Sequence, residues 1–173
     1  MFPAGIAPSD NVHITTLSGN SMGVIGSITL ASATWTSANV AIYVPFSISS
    51  PRLIRKLFWQ NGTAVSGNVD CGIYDSAGTK IVSTGSTAQS GTSAIQSVDI
   101  TDTMLGPGQY FLALAMDNTT ATTIRASINS VRVKMYGIFQ QATAFPLPAT
   151  ATFATNTGGY LPFFGATTIL GSI

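Results

Sequence analysis

Apolar and polar residues alternate along much of this chain, and the period is two. Residues 35–48 set the pattern, with Ala38, Val40, Ile42, Val44 and Phe46 on one side and Trp35, Ser37, Asn39, Ala41 and Tyr43 on the other. Successive side chains of a β-strand point to opposite faces, so this stretch predicts a half-buried strand. Gly67–Asp75 reads the same way, with Val69, Cys71 and Ile73 inward. Residues 109–117 are the most apolar: Tyr110, Leu112, Leu114 and Met116 oppose Phe111, Ala113 and Ala115. The small residues on that second face predict another layer packed closely against it. Val131–Phe139 places Val131, Val133 and Met135 inward and predicts a further strand. In Arg52–Gln60 neither parity is cleanly apolar, which predicts an edge strand or an interface.

Turn chemistry divides these segments. Asn61-Gly62 is a strong turn signal. Asp75-Ser76-Ala77-Gly78 predicts a type I turn closed by a left-handed glycine, with Thr79–Thr84 returning as a hairpin. Residues 85–93 read as a flexible loop, Ile95–Thr101 as a strand, and Leu105–Tyr110 as a turn into the apolar segment. Residues 22–31, with Val24, Ile25, Ile28 and Leu30, and Thr122–Ile128 complete the set. About nine or ten strands at spacings of roughly 8–12 residues predict an all-β fold: an antiparallel two-sheet β-sandwich, jelly-roll-like, with extended N- and C-terminal arms.

The boundaries follow from composition. Residues 1–20 carry Pro3 and Pro8 and a short β-like piece at Val12–Thr15, and read as an N-terminal arm. Residues 21–141 form the sandwich. Residues 142–173 change character, with Phe145-Pro146-Leu147-Pro148 and Tyr160-Leu161-Pro162-Phe163-Phe164-Gly165. Prolines at this density disfavour central strands. Aromatic residues in such an arm need a surface to cover, either their own sandwich or a neighbouring subunit. The expectation is the neighbour, with Phe145, Leu147, Tyr160, Phe163 and Phe164 as inter-subunit contacts.

Charge sharpens this picture. Only 8% of residues are charged, against about 25% in an ordinary globular protein. All six acids are aspartates, and the polar positions are written in Thr, Ser, Asn and Gln, which suits pleated surfaces and turns. Soluble surfaces normally rely on mixed charge to resist association. So little of it predicts a surface partly covered by copies of the chain or by partners. A net charge of +1 argues against nucleic-acid and acidic-membrane partners. Arg52, Arg55 and Lys56 are the main basic concentration. The segment Met1–Asp10 lacks the charged and apolar regions of a secretory signal, and no run approaches a membrane-spanning length, so folding in a cytoplasm is expected. A transmembrane barrel shares the alternation, but the export signal and terminal aromatic residue expected of one are missing.

Candidate chemistry is sparse. His13 and Cys71 are the lone histidine and cysteine, too few for a zinc site or an internal disulfide. Cys71 reads as a buried apolar residue. Paired aspartates such as Asp70 and Asp75, or Asp99 and Asp102, could serve a glycosidase or calcium in principle, yet turn capping accounts for them more simply. No catalytic, metal or cofactor residues are expected, and the chain reads as a non-enzyme. Trp35 and Trp59 are the candidates for stacking on a sugar ring, against burial in a core or interface.

The stretch from Asn61-Gly62-Thr63-Ala64-Val65 through Asp70-Cys71-Gly72-Ile73-Tyr74-Asp75-Ser76-Ala77-Gly78-Thr79-Lys80, with Ser83–Thr87 and Leu105–Ala115, resembles β-sandwich proteins of tailed-bacteriophage particles. The resemblance covers about residues 52–117. It implies a virion structural protein, made in the host cytoplasm: a capsid decoration or cement protein, a head fibre or a tail appendage. The partners it implies are further copies of the chain, with a trimer as one arrangement, and other virion proteins such as the major capsid or tail proteins. The alternative is a tail-fibre, receptor-binding or carbohydrate-binding module, with a host glycan as ligand. No functional residues come with the resemblance.

Overall fold

The computed structural model describes residues 13–16 and 29–171. Residues 22–28 of the expected strand over 22–31 and most of the N-terminal arm lie outside these residues. The described chain is all-β apart from one short helix. Its strands are β1 (His13–Thr15), β2 (Leu30–Thr34), β3 (Val40–Ile48), β4 (Arg52–Gln60), β5 (Asn68–Asp75), β6 (Lys80–Ser83) and β7 (Thr87–Ala88). They continue through β8 (Ile95–Leu105), β9 (Gly108–Met116), β10 (Thr122–Ser127), β11 (Phe139–Gln141), β12 (Ala154–Thr155), β13 (Tyr160–Pro162) and β14 (Phe164–Thr167); the helix α1 is Ser130–Met135.

One layer is a seven-stranded sheet in the order β12-β11-β3-β9-β5-β6, with β7 paired to the first half of β5. The other combines a four-stranded sheet, β1-β14-β4-β8, with a three-stranded one, β13-β10-β2. Phe163 joins these two sheets: its N–H donates to Ile124 (2.9 Å) and its carbonyl accepts from Gln60 (3.0 Å). Between the layers lies the core. The central sheet contributes Ile42, Val44, Val69, Cys71, Ile73, Leu112, Leu114 and Met116; the opposite layer contributes Ile54, Leu57, Trp59, Leu161 and Phe164. These are the inward parities expected for β3, β5 and β9, as alternation dictates when one face packs on a core.

β4 departs from expectation with an identifiable cause. It lies inside its sheet, between β14 and β8, and its pairing with β8 shifts register between Ile54 and Lys56. Between the pairs Ile54–Thr103 and Lys56–Asp99, β4 advances two residues while β8 advances four, and across this irregularity the parity of β4 that faces inward changes. Ile54 before it, and Leu57 and Trp59 after it, therefore all reach the core. Neither face reads as apolar because the face changes midway.

Three other segments differ. Residues 130–135 are helical, capped by Asn129, whose side chain accepts from the Val131 N–H, and ended by Gly137 at φ +64°. An asparagine N-cap and a left-handed glycine after the last turn satisfy the helix ends; only Val133 is buried. Asn61-Gly62 makes no hairpin, since β4 and β5 belong to different layers. Residues 85–93 are held: Thr87–Ala88 pair with β5, and Gln89 is buried. The hairpin at Asp75–Gly78 forms as expected, with Gly78 at φ +87° and the Asp75 carboxylate accepting from Ala77 and Thr79.

Candidate assembly surface

The outer face of the seven-stranded sheet is the surface the small residues of β9 prepare. Ala41 and Tyr43 of β3, Ala113 and Ala115 of β9 and Tyr74 of β5 form its floor. Residues 144–153 lie across it as a strap, burying Ala144 and Leu147. Gly72 makes the seat for Leu147, because a Cβ there would come within 2.9 Å of Leu147 Cδ1. Phe153 packs among Tyr43, Phe111 and Phe139, at ring-centroid distances of 5.2, 4.5 and 5.2 Å.

Polar groups clamp the strap. Asp70 alternates away from the core and accepts from the Leu147 N–H (2.9 Å). Lys80 Nζ donates to the Leu147 carbonyl (2.7 Å) and the Tyr74 hydroxyl to Pro148 (2.6 Å). Main-chain bonds from Lys80 to Ala149 and from Ala151 to Gly78 continue the attachment. Burial pushes the Asp70 carboxyl above its ordinary value, against the hydrogen bond from Leu147 and the charge of Lys80. Burial likewise raises Tyr43 to about 12, raises Tyr74 further with Tyr43 adding to it, and holds the Cys71 thiol well above its usual range. A protonated, fully buried thiol is a packing residue. Asp70 is spent on a main-chain amide.

This geometry corrects the expectation for the C-terminal segment. Leu147 and Phe164 are buried within their own chain, and Phe145, Tyr160 and Phe163 are half-buried there. Tyr160 lies under the Arg125 guanidinium, 3.9 Å from its ring centre. Residues 154–167 supply one strand to each sheet, so the segment is part of the sandwich. Its prolines are accommodated because Pro146 and Pro148 lie outside any strand and Pro162 is in β13, which ends its sheet. Trp35 and Trp59 are 3% and 0% exposed, with their indole N–H groups donating to Val40 O and Asn61 Oδ1. Neither offers a ring face to a sugar. Asp99 and Asp102 pair with Lys56 (2.7 Å) and Arg55 (3.6 Å) across the β4–β8 ladder.

What stays exposed is elsewhere. Among the described residues β8, β2 and β6 each end a sheet. They carry the exposed apolar residues Ile95 and Met104, Leu30, and Ile81 respectively. Helix α1 adds Val131 and Met135, 61% and 77% exposed, four residues apart and so on one side of the helix. Sequence reading at period two turns both inward; the spacing of four is the signal that separates them from Val133. A shallow groove of about 210 Å³ is lined by Pro45, Phe46, Ser47, Gln109, Tyr110 and Phe111. It holds one amide, one hydroxyl and one phenol among aromatic walls, with no charged side chain. No group of three potential metal ligands occurs among the described residues.

No protein-family model matches the chain, and no curated protein is significantly similar to it.

Proposed function

We propose that this chain is a structural subunit of a bacteriophage particle, in the simplest case a capsid decoration or cement protein. It acts without catalysis, by associating with copies of itself and with other virion proteins such as the major capsid or tail proteins. The observation that carries the reading is the placement of exposed large apolar residues on one edge strand of each sheet and on α1. Apolar side chains gathered at rims mark contact sites when a partner covers them. The low charge of the chain and the resemblance over residues 52–117 support the same reading. The aspartates along β8 discourage unlimited edge-to-edge pairing, which suits a closed assembly.

Sedimentation velocity across a range of concentrations tests the assembly. The expected result is a defined oligomer, weakened by Met104→Lys and Met135→Lys while thermal unfolding of each variant stays within about 0.5 kcal/mol of the parent. A monomer throughout overturns self-association. Peptides of the chain should also be recovered from purified particles released by its host, and recovery only outside the particle fraction overturns the virion reading.

A further inference from the structure

Asn61 precedes Gly62, the chain's one Asn-Gly step among eight asparagines. That step is chemically labile. The backbone nitrogen of the glycine, unhindered by a neighbouring Cβ, attacks the asparagine Cγ. The nitrogen loses its proton, ammonia leaves, and a five-membered succinimide forms. Water then opens the ring to aspartate or isoaspartate, so the net change is amide plus water to acid plus ammonia.

Every group needed for that reaction is held in the fold. Asn61 is 0% exposed. Its Oδ1 accepts from Trp59 Nε1 (2.9 Å) and Gln89 Nε2 (2.9 Å). Its Nδ2 donates to the Ser90 carbonyl, to Gly91 O (3.1 Å) and to Gln96 Oε1 (3.2 Å). The attacking nitrogen is engaged as well, since the Gly62 N–H donates to Thr122 O (2.9 Å). The asparagine's own N–H donates to Ala94 O (2.9 Å). Rotating the amide over the Gly62 nitrogen would break these bonds together, inside a site that water does not reach.

The product fits the site badly. Three acceptor oxygens converge where Nδ2 stands, and a carboxylate there would offer them no hydrogen. A buried acceptor facing acceptors loses its hydrogen bonds and keeps its desolvation penalty. Isoaspartate would in addition route the main chain through the side chain, lengthening it by one methylene where Asn61 bridges to Thr123.

We propose that Asn61 is a latent deamidation site that the folded chain keeps closed, and that conversion while the chain is open prevents its return to the native state. The site ties β4 to β10 within one layer and, through Gln89, to the 85–94 loop that pairs with β5 of the other, so it opens only when these elements separate together. Natively, reaction at Asn61 should therefore be slower than in denaturant by about a thousandfold or more, in line with the small unfolded fraction of a stable domain.

The test incubates the full chain at mildly alkaline pH, folded in one sample and in urea in another, followed by peptide mass spectrometry and by removal of the urea. Expected are aspartate and isoaspartate at position 61 in the urea sample alone. The soluble refolded fraction should retain Asn61, with the converted chains left in the misfolded fraction. A urea sample held at mildly acidic pH, where the attacking nitrogen stays protonated, should refold fully. Conversion at equal rates in both samples overturns the protection, and equal partition of converted chains between the fractions overturns the block on refolding. Asn61→Asp, made directly, gives a second measure: a variant that refolds with parental stability overturns the same block.

Discussion

Asp70 shows how one residue couples the two faces of a strand. Val69 and Cys71 enter the core, so Asp70 between them must point to the outer face, where residues 144–153 enclose it. Its carboxyl titrates above the ordinary 3.8 because burial disfavours the charge. A carboxyl whose folded pKa exceeds its unfolded value binds its proton more tightly when native. Its contribution to stability is therefore full below pH 3.8 and is lost as pH rises through the elevated folded value. Asp70→Asn keeps an acceptor for the Leu147 N–H and removes the titration. Urea unfolding from pH 3 to 7 should show the parent losing stability relative to this variant as pH rises; a constant difference across that range contradicts the assignment. The direction of Asp70 was legible from alternation, but what covers it was not, because periodicity names a face and says nothing of its neighbour. Asn61 was misleading for the same reason: its partners Gln89, Gln96 and Thr123 are remote in sequence, and the dipeptide alone reads as a turn.

At the scale of elements, the strap is held by one apolar anchor and several polar clamps, and these are separable. Leu147→Ala empties a seat built against Gly72 and should cost about 2–5 kcal/mol. Tyr74→Phe keeps the ring and removes the hydroxyl that donates to Pro148 O, and should cost about 0.5–1.5 kcal/mol. Thermal or urea unfolding distinguishes them, and similar losses for both would mean that the clamps, rather than Leu147, hold the strap. Strands β3, β5 and β9 were readable because each keeps one parity inward along its whole length. β4 was obscured by the break in its register with β8, which no residue in Arg52–Gln60 announces. α1 was obscured by brevity: with six residues and a single buried side chain, its pattern satisfies a period of two as well as one of three or four. Asn129 and Gly137 at its ends were the better guide.

For the whole molecule, the scarcity of charge sets the expected response to salt. The ion pairs Lys56–Asp99 and Arg55–Asp102 lie within the chain, and the large exposed side chains at the rims include Met104, Ile95, Leu30 and Ile81. Association through those rims should hold or tighten when sulfate is added, since excluded salts strengthen apolar burial. Sedimentation in low and high salt checks this, and dissociation on raising salt would point to charged contacts instead. The all-β architecture was legible from alternation and turns; the division into three sheets was not, because it depends on which distant strands meet. That division bears on how the protein is made. β12, β13 and β14 complete the three sheets, and Thr16 Oγ1 donates to Pro162 O across 146 residues. During synthesis the seven-stranded sheet cannot be finished before Thr155, the three-stranded one before Pro162 or the four-stranded one before Thr167 has left the ribosome, and pairings this distant close slowly. A growing chain must therefore wait with its sheets incomplete, and the decisive folding steps follow the synthesis of residues 154–167.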